Sequence, residues 1–328
     1  SYREGLPNVP LQAAACGVPV VGFATTGTID AIRDGETGRL VARGDVEGLS
    51  LALREYLEDE ALRVEHGARG RRWVSEAFPP ERVYHLAALL SAVGERDPQR
   101  SWIVNLDGLR MVLEACREHS SSLFTPSSIA AFGPDAPRDP TPQDTLQRPT
   151  SIYGVTKVAG ELLCDYYHAR YGVDTRGVRY PGVVSFAHPP GGGTTDFAVE
   201  IYVDAVRHGH YTSFVRADTQ LDMMYMDDAV RAAIELMDAD PARLRHRNAF
   251  NVTAMQVTPE SLASSIRRRL PEFRLEVEVD PMRQAIADSW PRRLDDSAAR
   301  EEWGWQPRYD LDSMTDRMLE GIRTRTTE

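Results

Sequence analysis

The chain has 328 residues, of which 42% are hydrophobic and 27% are charged, and its formal net charge is −11. Mean hydropathy is −0.39 and no run of about 20 apolar residues occurs, which argues against a membrane span. The acidic balance argues against nucleic acid as a partner, and three well-separated cysteines fit neither a disulfide framework nor a metal site. Nothing resembles a secretory leader. We therefore expect a cytoplasmic protein that acts on a small molecule.

The first 83 residues alternate short strand-like and helix-like segments. We predict strands at 17–23 and 38–42 and a short helix at 28–33. Asp45 is placed to cap a longer amphipathic helix, and 61–76 continues as a further helix. This alternation predicts a β-α-β-α unit in this part of the chain.

From Tyr84 onward, strands continue to alternate with helices. The predicted strands are 85–90, 123–127, 177–184, 250–253 and 275–279. The predicted helices are 102–119, 153–171, 197–208 and 227–237. This alternation predicts an α/β fold, a Rossmann-like doubly wound parallel sheet with a small C-terminal α/β substrate lobe. We place the catalytic core at 84–185 and the substrate lobe mainly at 186–328.

Lys157 is the only lysine in the chain, whereas the other 37 Lys and Arg residues are all arginine. It follows Tyr153 by four residues in a predicted helix, so both side chains lie on one face. An ammonium near a phenol favours the phenolate and lowers a pKa that is normally about 10. The phenolate can then act as a general base toward a hydroxyl. A strand ending in Ser127 and Ser128 offers a second hydroxyl to orient the same substrate oxygen. The alternative is that Tyr153 and Lys157 are an ordinary pair on the surface of a helix.

Ser128, Tyr153 and Lys157 together resemble the catalytic group of the extended short-chain dehydrogenase/reductase superfamily. Ser128 is chosen over Ser127 because it lies five residues before Gly133, where the superfamily places this hydroxyl. Residues 84–323 are similar, more closely, to its NAD-dependent L-threonine 3-dehydrogenases. The motifs that carry this similarity begin at His85 (HLAALLSAVGE), Pro126 (PSSIAAFG), Arg179 (RYPG), Pro190 (PGGGTTD), Met223 (MMYMDD), Phe250 (FNVTA) and Arg283 (RQAIADSWP).

The resemblance implies a reaction and a set of site residues. The reaction is oxidation of L-threonine to 2-amino-3-oxobutanoate, a step of threonine catabolism, with NAD as cofactor. Tyr153 would be the base, Lys157 its electrostatic partner, and Ser128 the hydroxyl donor. The implied substrate-binding residues are Ser91, Thr194, Thr195 and Trp290. The implied cofactor-binding residues are Leu89, Asn105, Tyr153, Lys157, Tyr180, Gly182 and Val183. A homodimer formed through the Tyr153 helix is expected.

The glycine-rich turn that should hold the cofactor pyrophosphate, G-x-G-x-x-G after a first strand, is missing. Residues 1–83 instead resemble the donor-binding half of a family 4 GT-B glycosyltransferase, although Gln12 stands where that family has its second acidic residue. The motifs that carry this likeness begin at Arg3 (REGLP), Ala13 (AAACGVPVVG) and Asp34 (DGETGRL). We interpret the chain as a chimera-like junction near Val83–Tyr84.

Alternatives remain open at this point. The chain could be a nucleotide-sugar epimerase or dehydratase of the same superfamily, or a non-catalytic hybrid that has lost its NAD-binding glycine motif. The turn at 22–27, between a strand and a helix, could serve as a surrogate pyrophosphate site because helix N-termini favour anions. It could equally be a plain strand–helix turn.

Overall fold

The computed structural model describes residues 7–77, 80–187 and 193–326. The chain forms two compact units, one ending at Pro80 and the other beginning at Glu81. Within the described ranges, no helix is both long enough and apolar enough to cross a membrane. The roles expected for residues 1–83 and 84–328 stay predictions.

The first unit combines a two-stranded parallel sheet with four helices. Its elements are α1 (Asn8–Ala15), β1 (Val20–Phe23), α2 (Thr28–Ala31), β2 (Gly38–Val41), α3 (Val46–Glu58) and α4 (Glu60–Ala77). The predicted cap is present, because the Asp45 carboxylate accepts a hydrogen bond from the Gly48 amide at 2.8 Å. A Ser, Thr, Asp or Asn at this position satisfies an amide that the helix itself leaves unpaired.

The amide groups of the turn between β1 and α2 form hydrogen bonds within the turn itself. The N–H groups of Thr28 and Ile29 donate to the Thr25 carbonyl at 3.1 and 3.3 Å, and the Asp30 N–H donates to Gly27 at 3.2 Å. The helix that follows has only four residues. Since the amides that would face an anion are already bonded, the structure favours the plain turn over a pyrophosphate site.

The second unit carries the remaining elements. Its strands are β3 (Arg82–Tyr84), β4 (Ser122–Phe124), β5 (Ser127–Ser128), β6 (Thr175–Arg176), β7 (Val178–Tyr180), β8 (Gly182–Val184), β9 (His210–Ser213), β10 (Leu221–Tyr225), β11 (Phe250–Asn251), β12 (Met255–Val257) and β13 (Arg274–Val277). Its α-helices are α5 (Ser91–Arg96), α6 (Pro98–Trp102), α7 (Gly108–His119), α8 (Ile152–Tyr171), α9 (Phe197–Arg207), α10 (Met226–Asp238), α11 (Pro259–Arg267), α12 (Pro281–Ser289), α13 (Ser297–Trp303) and α14 (Leu311–Thr326).

Parallel pairing dominates this unit. The strand orders are β3-β4-β6, β11-β7-β5, β12-β10-β8 and β13-β9, and only β12 runs antiparallel to its neighbour. Parallel strands joined by helical crossovers define the Rossmann-like α/β arrangement, so the predicted fold class is confirmed. The C-terminal elements have a hydrophobic cluster of their own, which contains Phe197, Tyr202, Leu262 and Met318.

One predicted strand is absent from the structure, and one predicted helix is interrupted. The strand β3 ends at Tyr84, and no strand forms over the expected range 85–90. The expected helix at 102–119 is interrupted by a π-helical turn at Ile103–Asp107. Asn105 lies in that turn: its side-chain oxygen accepts from the Leu89 amide at 2.7 Å, and its side-chain nitrogen donates to the Leu89 carbonyl at 3.1 Å. The backbone at Leu89 therefore pairs with a side chain instead of a strand.

Candidate active site

The structure brings Ser128, Tyr153 and Lys157 together where β5 ends and α8 begins. The Ser151 hydroxyl caps α8, and the phenol and ammonium follow within its first two turns. The Lys157 ammonium lies 5.5 Å from the centroid of the Tyr153 ring and donates to the Pro126 carbonyl at 2.6 Å. The pair is therefore not an ordinary surface pair but faces the strand that carries the serine.

Burial governs the charges of this group. It raises the pKa of the Tyr153 phenol, and an interaction with the Ser128 hydroxyl acts in the opposite direction. It also lowers the pKa of Lys157 to about 8, against the influence of the Glu161 carboxylate. The expectation that Lys157 makes this phenol acidic is wrong for the protein by itself, because loss of hydration disfavours the phenolate more strongly.

A cavity of about 1010 Å³ opens beside these side chains. Its volume is comparable to that of typical small-molecule sites, about 300–1,000 Å³. Every predicted site residue lines it: Ser128, Tyr153, Lys157, Ser91, Thr194, Thr195, Trp290, Leu89, Asn105, Tyr180, Gly182 and Val183. In the described part of the chain, no group of three or more His, Cys, Asp or Glu side chains is placed to hold a metal ion.

The predicted substrate residues come from three separate segments. Ser91 opens α5, and Thr194 and Thr195 directly precede α9. A Cβ at Gly182 would lie 2.2 Å from the Met223 sulfur and 2.9 Å from the Thr195 methyl carbon, so this glycine permits the close approach of Thr195. The motif residues at 190–192, like those at 3–6, lie outside the described residues.

Trp290 ends α12, and its carbonyl accepts a hydrogen bond from the Arg138 side chain at 2.9 Å. Its ring packs partly against the cluster of Ile129, Phe132 and Leu294. The tryptophan therefore packs against a core and also lines the cavity.

Asn105 and Tyr180 line the cavity, and their polar side-chain atoms form hydrogen bonds within the protein. The Asn105 side-chain nitrogen also donates to the Thr156 hydroxyl at 3.2 Å, and the Tyr180 hydroxyl donates to the Ala229 carbonyl at 2.6 Å. Their contact with a cofactor stays a prediction, and in the protein alone both residues stabilise the walls of the cavity.

Sequence reasoning missed several residues that line the same cavity, among them His85 and Glu161. The Nε2 atom of His85 is buried and has no hydrogen-bond partner among the described residues. Glu161 accepts a hydrogen bond from the Ser127 hydroxyl, which leaves Ser128 as the serine that faces Tyr153. The signal for Glu161 was available, because the spacing of four between Tyr153 and Lys157 continues to it.

Comparison with known families agrees with this fold. Residues 54–253 match the NAD dependent epimerase/dehydratase family, and residues 1–73 match the glycosyl transferases of group 1. The first match covers more than half of the chain, so the chain belongs to the NAD dependent epimerase/dehydratase family. It is therefore an NAD-dependent protein of the oxidoreductase or epimerase type.

Individual relatives give a finer comparison. An uncharacterized epimerase/dehydratase of Staphylococcus saprophyticus is 49% identical over 291 residues, which are 89% of this chain and 87% of the relative. A GalE-like L-threonine dehydrogenase of Cupriavidus necator, in its holo form, shares 48% identity with a TM-score of 0.73 over 76% of this chain and 82% of its own. The L-threonine dehydrogenase of Clostridium difficile shares 41% identity with a TM-score of 0.75 over 94% and 98%.

Proposed function

We propose that the chain is an NAD-dependent L-threonine 3-dehydrogenase that oxidises the β-hydroxyl of L-threonine and forms 2-amino-3-oxobutanoate. The observation that carries this proposal is the shared cavity, in which Tyr153, Lys157 and Ser128 lie with Thr194 and Trp290. The similar solved structures described above support the same substrate, since both are named as L-threonine dehydrogenases.

The residues present fit the nicotinamide and ribose end of NAD. His85 and Asn248 line the cavity, and His85 Nε2 and Asn248 Oδ1 are buried polar atoms without partners among the described residues, which favours a polar ligand. Lys157 uses one donor on the Pro126 carbonyl, and an ammonium has three. When bound, NAD accepts the hydrogen that leaves the substrate carbon as hydride. The sequence lacks the glycine-rich turn that would hold the pyrophosphate, so the affinity of the protein for NAD has to be measured.

The side chains of the site divide the proton chemistry between them. Tyr153 accepts the proton of the β-hydroxyl, and Ser128 holds the same oxygen by a hydrogen bond. Because burial raises the pKa of Tyr153, the charge of Lys157 is needed to stabilise the phenolate during this transfer. Thr194, Thr195 and Trp290 flank the small amino-acid substrate.

The test is NADH formation by the purified protein with L-threonine and NAD. Tyr153→Phe removes the base and should lower the rate by about 10²–10⁴-fold, the usual contribution of general base catalysis. Tyr166→Phe is the matched control, because Tyr166 lies on the same helix with 52% of its side chain exposed. Absence of NADH formation while calorimetry shows that NAD binds would contradict the proposal.

Epimerase or dehydratase activity is a second candidate, favoured by the name of the Staphylococcus saprophyticus relative and by the size of the cavity. Interconversion of UDP-glucose and UDP-galactose, without threonine-dependent NADH formation, would support it. A third outcome identifies the inert hybrid: a folded circular dichroism spectrum with no binding of NAD by calorimetry.

A further inference from the structure

Glu161 places a carboxylate inside the protein one helical turn beyond Lys157. Tyr153, Lys157 and Glu161 follow one another at intervals of four on α8, so they share a face. The Glu161 side chain is only 7% exposed. It lines the same cavity as Tyr153 and Lys157, so its charge belongs to the site.

Three side chains donate hydrogen bonds to the Glu161 carboxylate. Arg179 forms a two-pronged ion pair with it, from Nη2 at 2.9 Å and from Nε at 3.1 Å. The Ser127 hydroxyl donates to one of its oxygens, and the Gln147 side-chain nitrogen donates to the other at 2.8 Å. A buried carboxylate with this many donors does not change rotamer freely.

The contacts of Glu161 join three elements that carry the site. Ser127 lies on β5 directly before Ser128, and Arg179 lies opposite Ser127 on β7. The Arg179 guanidinium continues to the Gln143 carbonyl at 2.9 Å and to Asn251 Oδ1 at 3.2 Å. A displacement of Glu161 would therefore move the strand of Ser128 relative to the helix of Tyr153 and Lys157.

Four titratable groups interact with Lys157 or lie against it. Glu161 and Cys164 come from its own helix, and burial raises the pKa of the Cys164 thiol so that it stays neutral. His85 comes from the segment after β3, and burial together with the charge of Lys157 lowers its pKa. Tyr153 lies one turn before Lys157 on α8, and burial raises the pKa of its phenol. Among these groups, the Glu161 carboxylate has the largest influence in favour of the ammonium form of Lys157.

We propose that Glu161 is a positioning residue of the active site, whose carboxylate, anchored by Arg179 and Ser127, supplies the charge that keeps Lys157 an ammonium and aligns Ser128 with Tyr153. The inference rests on the proposed function and deepens it. Its test measures the protonation of Lys157 directly and requires neither NAD nor threonine, so an inactive protein can still confirm or overturn it.

The single lysine makes this measurement direct. Protein grown on lysine labelled with ¹³C at the ε carbon gives one lysine signal, and its chemical shift against pH reports the titration of Lys157. Glu161→Gln keeps the shape of the side chain and removes the charge. We expect the titration midpoint to fall by about one pH unit or more, because an opposite charge about 4–6 Å away shifts a pKa by about 1–3 units.

Asp165→Asn is the matched control. Asp165 lies one turn farther along α8, and its substitution removes the same charge from an exposed side chain that hydrogen-bonds Asn248. We expect this variant to leave the midpoint of Lys157 unchanged. Ser127→Ala removes a hydrogen bond to Glu161 without removing charge, and it should change the midpoint much less than Glu161→Gln.

Glu161→Gln leaves Arg179 charged and without its carboxylate, so this variant can fail to fold. The double variant E161Q/R179Q contains no unpaired buried charge and repeats the measurement, with Arg179→Gln as its reference because both variants lack the positive charge of Arg179. A lower midpoint in either folded variant supports the proposal. An unchanged midpoint overturns it, as does an equal fall in Asp165→Asn. Failure of both variants to fold shows that the pair is needed for folding alone, and the proposal is then withdrawn.

Discussion

Replacement of Gly154 by alanine should separate the catalytic groups without touching any of them. Gly154 follows Tyr153 in the first turn of α8. A Cβ at this position would lie 2.2 Å from the Ala130 carbonyl oxygen and 2.5 Å from the Pro149 side chain. Ala130 belongs to the turn that directly follows Ser128. Any movement that relieves the clash therefore moves Tyr153 away from Ser128.

The magnitude follows from ordinary contact distances. A carbon and a carbonyl oxygen rarely approach closer than about 3.3 Å, so α8 and the turn must separate by about 1 Å. Forcing one extra methyl group into a packed site typically destabilises a protein by about 1–3 kcal/mol. A misplacement of about 1 Å between reacting groups can lower a rate on the order of 10²-fold. We expect Gly154→Ala to show both losses.

Gly160→Ala on the same helix is the matched control. A Cβ there meets only the end of the Leu109 side chain, at 3.1 Å, and no backbone atom. Alanine also favours a helix over glycine by about 1 kcal/mol. Urea unfolding should therefore place Gly160→Ala within about 1 kcal/mol of the parent and Gly154→Ala below it. Equal unfolding free energies for the two variants would refute the reasoning.

Three further results are expected. Burial raises the pKa of Asp222 to about 7; a carboxyl with a raised folded-state pKa stabilises the fold most at low pH and loses that contribution as pH rises through the raised value. Asp222→Asn should therefore gain stability relative to the parent between about pH 4, the ordinary pKa of Asp, and about pH 7 in urea unfolding, with no further gain above that range, and a constant difference would contradict this. Lys157→Arg keeps the charge but replaces a compact ammonium by a planar fork, so threonine-dependent NADH formation should fall at least about tenfold; parent-like rates would argue against a specific role for lysine. Apolar and aromatic residues of α8 are exposed, among them Val155 (38%), Leu162 (61%) and Tyr166 (52%). If the expected homodimer forms through this helix, the parent should sediment as a dimer and Leu162→Glu as a monomer. A monomeric parent would refute the interface.

Much of the proposed catalytic group could be predicted because it is local. The spacing of Tyr153 and Lys157 places both on one helical face wherever that helix packs, and Ser151 and Gly172 at its ends define its length. The alternation of strands and helices similarly predicts a parallel sheet. The expected strand at 85–90 did not form, and within it Asn105, sixteen residues after Leu89, takes both backbone hydrogen bonds of Leu89.

By itself, the sequence determined the α/β class, the Tyr153 helix and the cavity-lining residues that its motifs mark. Only the tertiary structure decided the charges and partners inside the site: the burial that raises the pKa of Tyr153, and the ion pair between Glu161 and Arg179. The physical reason is distance along the chain. Helical periodicity acts over a few residues, whereas burial and buried ion pairs depend on which distant segments pack together and exclude water.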